Sequence, residues 1–181
     1  MGISSRNSEV IHAGLYHPPE MLKTTLCLKG KHALYDYAAS RHIPHMKCGK
    51  LLVASGDQKL SKLEQIKINA ENCGIDDLKM LTKEECHALE PDISAVAGIF
   101  SPSSGVIDTH AYMLSLLGDC ENAGGQAVFN TNITAIDKNK DGFTITTNDD
   151  YAINCSLLIN AAGLRAMNIA HMISDLDADN I

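Results

Sequence analysis

The chain of 181 residues contains no tryptophan, and aromatic residues make up only 4% of it. Basic residues are also in deficit, with 15 Lys and Arg against 22 Asp and Glu, which gives a formal net charge of −7. Proteins that bind nucleic acid need cationic surface for the phosphates and, for single strands, aromatic side chains on which bases stack. The composition therefore predicts no nucleic-acid partner and no basic patch for a membrane surface.

Long apolar runs, paired cysteines and glycine-rich phosphate loops are missing as well. No apolar stretch approaches the roughly 20 residues that span a bilayer, and the first residues show no signal-peptide pattern. The six cysteines form no Cys-x-x-Cys pair, which favours reduced thiols over a disulfide framework. Neither a Gly-x-Gly-x-x-Gly turn nor a Walker sequence occurs. The sequence therefore predicts a cytoplasmic protein without a transmembrane segment.

The apolar residues that are present follow helix and strand periods in turn, which predicts a mixed α/β fold. A capping box, with Thr82 at the helix N-cap and Glu85 three residues later, predicts a short helix that ends before Pro91. Other helices are predicted over residues 20–41 (amphipathic), 57–73, 108–123 and 164–173. Strands are predicted over residues 50–54, 78–81, 95–100, 127–129, 133–138, 143–147, 151–155 and 157–160. The last of these is apolar at consecutive positions, as in a strand covered on both faces.

The stretch "SSRNSEVIHAG" near the start has the composition of a binding loop. Arg6 can pair with a carboxylate or phosphate, and His12 is the only group in the loop that titrates near neutral pH. Four further side chains suit hydrogen bonds to a phosphate or a ring edge: Ser4, Ser5, Asn7 and Ser8. A disordered polar terminus is the alternative, but the apolar residues at 10–11 and 13–14 indicate packing.

A second candidate binding segment follows the strand predicted at 157–160. Ala161, Ala162 and Gly163 would let a ligand approach the backbone, and the start of the next helix offers free N–H groups to an anion. The alternative is that these small residues only let a helix pack closely on a sheet.

Metal binding and nucleophilic catalysis are weaker hypotheses. His42, His45 and Cys48 are zinc-ligand types at three-residue spacing, but Pro44 interrupts any helix that would align them and no fourth ligand follows at finger-like spacing. No Gly-x-Ser-x-Gly sequence is present. The sequence therefore predicts no metal site.

Six segments resemble, in the same order, the FAD-dependent L-2-hydroxyglutarate dehydrogenase/oxidase family of amino-acid-oxidase-like flavoproteins. They are "SSRNSEVIHAGLYHPPEMLKTTLCLKG", "CGKLLVA", "LTKEECHALEPDI", "SSGVIDTHAYMLSL", "AGGQAVFNTNITAI" and "LLINAAGLRAMNIA". The later segments also fit relatives similar to glycine oxidase or glycerol-3-phosphate dehydrogenase.

The resemblance implies an architecture. Residues 1–15 and 124–181 would belong to an FAD-binding Rossmann-like domain, and residues 16–123 to a substrate domain with a mixed or antiparallel sheet and flanking helices. It also implies that the chain is an internal fragment without the dinucleotide-binding turn and the C-terminal part. On its own it would then bind FAD weakly or not at all and would be inactive.

The resemblance further implies site residues. FAD would contact Ser4, Ser5, Arg6, Asn7, Ser8, Ile133, Ala161, Ala162 and Gly163. The substrate-domain face near the flavin would hold Gly105, Val106, Ile107 and Asp108. His12 would be the proton acceptor, preferred over His17 and His110, and Arg6 would orient substrate carboxylates; a purely structural hydrogen bond is the alternative role of His12.

The function implied is oxidation of a small L-2-hydroxy acid, similar to L-2-hydroxyglutarate, to the 2-oxo acid by hydride transfer to flavin. The alternatives are another amino-acid-oxidase-like activity, or a non-catalytic binding or assembly module that self-associates through exposed strands. Peripheral membrane association of the full-length enzyme is compatible with the sequence.

Overall fold

The computed structural model describes residues 2–173 and residue 176. The chain divides into two compact units, Met1–Asp119 and Cys120–Ile181. Position 1 and positions 174, 175 and 177–181 lie outside the described residues. They are the outermost residues of the two segments that are expected from the sequence to bind FAD.

The first unit contains two antiparallel sheets of three strands each, with strand orders β1-β6-β2 and β3-β5-β4. The strands are β1 (Val10–Ile11), β2 (His45–Met46), β3 (Lys50–Ala54), β4 (Lys79–Thr82), β5 (Ala97–Ser101) and β6 (Gly105–Ile107). The helices are α1 (Leu22–Ser40), α2 (Leu60–Asn72), α3 (Lys83–Leu89) and α4 (Thr109–Asn122), with 3-10 turns at Ile3–Ser5 and Asp57–Lys59. The last three residues of α4 belong to the second unit. Helices beside antiparallel strands confirm the expected mixed α/β class.

The capping box at the start of α3 is formed as the sequence predicts. The Thr82 hydroxyl accepts from the Glu85 N–H at 3.2 Å, and the Glu85 carboxylate accepts from the Thr82 N–H at 2.7 Å. Two N–H groups that the helix cannot satisfy internally are therefore paired.

Helix α1 has the expected length but not the expected buried stripe in its first half. Leu22 and Leu26 are 71% and 57% exposed, whereas the buried positions are Thr24, Lys31 and Ala38. These three are spaced by seven residues, about two helical turns, and so share one face. The prediction was wrong there because apolar and polar residues are mixed along this helix, so that the sequence pattern does not single out one face for burial.

The segment from β1 to Leu15 is fixed by two different core clusters. Ile11 packs with Ala38 and Ile107, and its exposure is 2%. Ala13 and Leu15, 3% and 2% exposed, belong to a second cluster that includes residues of α2. Burial of a side chain such as Ile or Leu contributes about 1.5–3 kcal/mol. The backbone around residue 12 is therefore held from both sides.

The second unit contains a three-stranded antiparallel meander, β7 (Ile133–Asn139), β8 (Gly142–Thr147) and β9 (Ala152–Cys155), in the order β7-β8-β9. The predicted turn before β8 is present, and Gly142 adopts φ +138, where a side chain would meet the Cys155 carbonyl. A 3-10 turn at Gly163–Arg165 leads into α5 (Ala166–Ala170).

Two predicted strands of the second unit, at 127–129 and 157–160, are not strands in the structure. Phe129 is 72% exposed, and Leu157 and Ile159 are 73% and 77% exposed. A strand exists only where a neighbouring backbone pairs with it, and neither segment has a paired strand within residues 120–173. Apolar composition alone was therefore a misleading signal.

No helix within residues 2–173 is long and apolar enough to cross a membrane.

Candidate functional site

His12 lies just after β1 on the backbone that the two core clusters hold. Its neighbours Ile11 and Ala13 are buried, whereas the His12 side chain is exposed. Successive side chains of an extended segment point to opposite sides, so burial of the neighbours directs the imidazole outward. It lines a cavity of about 140 Å³, with lining residues His12, Gly14, Tyr16, His17, Lys23 and Cys27.

The surroundings of His12 favour its neutral form. Removal of water from part of the ring lowers the pKa of His12, and the positive charges of Lys50, Lys23 and His17 lower that pKa further. Lys50 Nζ lies 4.8 Å from the centroid of the Tyr16 ring, which also lines the cavity. A neutral imidazole has a free ring nitrogen, so His12 can accept a proton near neutral pH.

The serine-rich loop before β1 is ordered by its own short hydrogen bonds. Ser5 Oγ donates to the Gly2 carbonyl at 3.0 Å, and Asn7 Nδ2 donates to the Ser4 carbonyl at 2.9 Å. Asn7 Oδ1 accepts from the Glu9 N–H at 2.7 Å. The side chains of residues 4 and 6–8 are exposed, and Ser5 is half-buried. The loop therefore presents polar groups, although Asn7 is partly engaged in the turn.

Strand pairing brings this region beside the predicted substrate face. Val10 pairs with Val106, and Ile11 pairs with Gly105. Two segments about 95 residues apart in the chain thus become neighbours in one sheet.

A larger cavity of about 690 Å³ lies next to β6 and the start of α4. Val106, Ile107 and Asp108 of the predicted substrate face line it, together with Glu9 and His110. Gly105 belongs to the same strand and is buried; it is not among the lining residues.

Glu9, Asp108 and His110 form a group that sequence reasoning missed. Their potential ligand atoms all lie within 4.8 Å of one another. One Glu9 carboxylate oxygen already accepts from the Thr109 hydroxyl at 3.0 Å, and one Asp108 oxygen accepts from the Ala111 N–H at 2.9 Å. The carboxylates therefore have a structural role at the start of α4. No feature of the sequence predicts that Glu9 lies beside residues about 100 positions later in the chain.

The zinc-type residues His42, His45 and Cys48 do not form such a group within the described part of the chain. His45 Nδ1 instead lies 2.8 Å from the Ile43 carbonyl, and the Cys48 thiol faces the Gly49 carbonyl at 3.5 Å.

In the second unit, the predicted cofactor segment is an exposed turn. Ala161, Ala162 and Gly163 are all exposed, and Gly163 has φ +57. Asn160 orders the turn, because its Oδ1 accepts from the Ala162 N–H at 3.2 Å and its Nδ2 donates to the Ala166 carbonyl at 2.8 Å. Ile133, at the start of β7, is half-buried. Contacts of any of these residues with a cofactor stay a prediction.

A family model described as FAD dependent oxidoreductase matches residues 1–180. The chain belongs to this family. Among curated relatives, L-2-hydroxyglutarate dehydrogenase of Escherichia coli is 30% identical over 170 residues, which cover 94% of this chain and 40% of the relative. The mitochondrial L-2-hydroxyglutarate dehydrogenase of Arabidopsis thaliana is 44% identical over 114 residues, covering 63% of this chain and 24% of the relative.

Solved structures agree with this family. A dithionite-reduced L-alpha-glycerophosphate oxidase from Mycoplasma pneumoniae with FAD bound superposes with a TM-score of 0.84 at 30% identity, covering 94% of this chain and 46% of that one. Glycine oxidase from Geobacillus kaustophilus has a TM-score of 0.85 at 17% identity, covering 94% of this chain and 48% of that one, and shows a shared fold. The family expected from the sequence is therefore confirmed, and the chain spans about 40% of the E. coli relative's length.

Proposed function

We propose that the chain is part of an FAD-dependent oxidoreductase that converts a small L-2-hydroxy acid, similar to L-2-hydroxyglutarate, to its 2-oxo acid. The observation that carries the proposal is His12: it is fixed by buried neighbours, its pKa is lowered, and it lines a cavity together with Lys23 and His17. The names of the curated relatives supply the substrate class.

The residues present are compatible with FAD. In the first unit, residues 4 and 6–8 are exposed and Ser5 is half-buried. Their hydroxyl, amide and guanidinium groups are of the kind that bind phosphate oxygens and ring edges. In the second unit, Ala161–Gly163 are exposed and have no side chain beyond Cβ, so a ligand can approach the backbone. Ile133 is proposed as a further contact. When bound, FAD supplies the acceptor for a hydride.

His12 is proposed to take the proton of the substrate hydroxyl. Oxidation of the alcohol breaks its O–H bond and the C–H bond of the carbon that bears the hydroxyl. The imidazole would take the proton, and bound FAD would supply the acceptor for the hydride. An imidazole with its ordinary pKa of about 6.5 is already about three-quarters neutral at pH 7, and a lowered pKa increases that fraction. Arg6 is proposed to orient a substrate carboxylate, and residues 105–108 to form the adjoining substrate face.

The experiment compares His12→Gln with His17→Gln in the FAD-loaded enzyme of which this chain is proposed to be part. Loss of a general base lowers kcat by about 10²–10⁴-fold. We expect this loss for His12→Gln at unchanged FAD content, and a much smaller change for His17→Gln. Equal effects of the two substitutions would reject the proton-acceptor role. A loss of FAD accompanying His12→Gln would assign His12 a structural role instead.

A second candidate activity has one specific observation in its favour. The Mycoplasma pneumoniae structure at 30% identity is an L-alpha-glycerophosphate oxidase. Glycerol 3-phosphate and glycine therefore belong in the same assay as L-2-hydroxyglutarate. The proposed function requires that the hydroxy acid has the highest kcat/KM of the three.

Three further expectations stay predictions. The assignment of residues 1–15 and 124–181 to an FAD-binding domain and of 16–123 to a substrate domain awaits a structure with FAD. Sedimentation at several concentrations tests self-association through exposed strands. A cytoplasmic location is tested by fractionation, since the Arabidopsis relative is named as mitochondrial.

A further inference from the structure

The cavity beside His12 is surrounded by positive or positively chargeable side chains. His12, His17 and Lys23 line it, and Lys50 stands over the ring of Tyr16, which also lines it. No lining residue carries a carboxylate. Lys23 and Lys50 form no ion pair within the part of the chain that the structure describes; the pairs found there are Arg41–Asp119 and Lys67–Glu71.

Lys23 lines the cavity, and Lys50 Nζ lies 4.8 Å from the ring centroid of Tyr16, which lines it too. Two ammonium groups beside one cavity without an acidic lining residue are stabilised when an anion enters. The cavity volume of about 140 Å³ corresponds to about five water molecules at roughly 30 Å³ each, which is enough for a carboxylate and its attached carbons. The backbone of Lys50 is held in place, because it belongs to β3, where it pairs with Ser101, and the residue is half-buried.

We infer that Lys23 and Lys50 bind a carboxylate of a dicarboxylic 2-hydroxy acid and so make the site selective for dicarboxylic over monocarboxylic substrates. Arg6 is the proposed ligand of one substrate carboxylate, and the lysine pair takes the other. The identity of the ligand in this inference rests on the proposed function. The presence of an anion site does not.

The electrostatics of His12 are consistent with this assignment. The charges of both lysines act on the imidazole, which places them within interaction range of the proposed proton acceptor. A carboxylate between the lysines and the ring would offset their charges and make His12 a stronger base when substrate is present.

The binding test uses calorimetric titration with glutarate, a dicarboxylate that has no hydroxyl group and cannot be oxidised in this way. A charge-assisted hydrogen bond contributes about 1.5–3 kcal/mol, which corresponds to about tenfold or more in Kd. We expect Lys50→Met and Lys23→Met each to weaken glutarate binding by about this factor. Lys50→Arg keeps the charge and should retain most of the affinity.

The matched control is Lys79→Met. Lys79 is an exposed lysine at the start of β4, on the opposite edge of the sheet that contains Lys50. The Lys79→Met substitution should leave the Kd for glutarate unchanged. Circular dichroism confirms that each variant is folded.

The lysines could instead bind the phosphate groups of FAD. Titration with inorganic phosphate distinguishes a phosphate site from a carboxylate site. If phosphate binds more tightly than glutarate, and Lys50→Met lowers FAD content, the lysines serve the cofactor and the inference is wrong. Glutarate binding that neither Lys→Met variant weakens also overturns it.

Turnover separates this inference from the proposed function. If the FAD-loaded enzyme that contains this chain oxidises no 2-hydroxy acid, the proposed function fails, while weakened glutarate binding in the variants would still support the anion site. If it does oxidise them, Lys50→Met should raise KM for L-2-hydroxyglutarate about tenfold, with little change for L-2-hydroxybutyrate. Equal changes for both substrates would overturn the inference.

Discussion

Replacement of Gly105 by alanine tests the packing that joins the predicted substrate face to the strand before His12. Gly105 lies in β6, the central strand of the sheet β1-β6-β2, opposite Ile11. A methyl group added there would overlap the Tyr35 hydroxyl and the Met46 carbonyl oxygen. The tyrosine can move, but the carbonyl belongs to the neighbouring strand β2 and cannot turn away without loss of sheet pairing.

The expected loss of stability follows from this geometry. Overpacking costs about 1–3 kcal/mol, and a clash with paired backbone belongs at the upper end, about 3 kcal/mol. The first unit, Met1–Asp119, has an unfolding entropy of about 250 cal/mol/K at about 2.1 cal/mol/K per residue. The Tm of this unit should therefore fall by about 12 °C.

The assay is thermal unfolding followed at backbone amides of β1 and β6, which report the first unit alone. Gly30→Ala is the control, because Gly30 lies in α1 with no atom within 4 Å of an added methyl group. Gly30→Ala should raise the free energy of unfolding by about 0.5–1 kcal/mol. Adding Tyr35→Phe to Gly105→Ala should recover part of the loss. A Gly105→Ala protein that melts within about 2 °C of the wild type would refute the reasoning.

Three further predictions follow from other parts of the chain. Thr82→Ala removes the cap of α3 and should lower the free energy of unfolding by about 1 kcal/mol in urea titration, with Thr82→Ser as the neutral control. Burial raises the pKa of the Cys86 thiol, so at about pH 8 iodoacetamide should modify the exposed Cys48 and Cys120 well before Cys86; equal rates would contradict the burial. The pKa of His12 is lowered on folding, so its contribution to stability is present above about pH 6.5 and is lost as the pH falls through the lowered pKa. Comparison of the wild type with His12→Asn across that range should isolate this contribution.

Elements with short-range determinants could be predicted from the sequence. The capping box at Thr82 and the strand 50–54 appear as expected, and so does the hairpin turn at Gly142. For the capping box and the hairpin turn, the residues that decide the structure are close neighbours in the chain, so local preference and final contact coincide. The strand 50–54 also needs the distant strand β5, with which it pairs over its whole length.

Elements whose outcome depends on distant partners were less predictable. The apolar run at 157–160 has strand composition but no pairing neighbour in its unit, and is exposed. Leu22 and Leu26 lie on the exposed side of α1 because the core contacts another face.

The candidate site shows the same division. Residue types placed the loop 4–8 and His12 among the candidates, but the roles of Lys23 and Lys50 depend on how β3 and α1 fold toward His12. The proximity of Glu9 to Asp108 likewise depends on the pairing of β1 with β6. No spacing in the sequence encodes either arrangement.

The central claim is that this chain is part of a flavoenzyme that oxidises an L-2-hydroxy acid with His12 as the proton acceptor. It is tested most directly by anaerobic mixing of L-2-hydroxyglutarate with the FAD-loaded enzyme of which this chain is proposed to be part, with flavin absorbance and 2-oxo acid measured together. The account predicts that the flavin is reduced, that one 2-oxoglutarate forms per flavin, that the D enantiomer is inert, and that His12→Gln slows the reduction. A flavin that stays oxidised in the presence of the L enantiomer would contradict it.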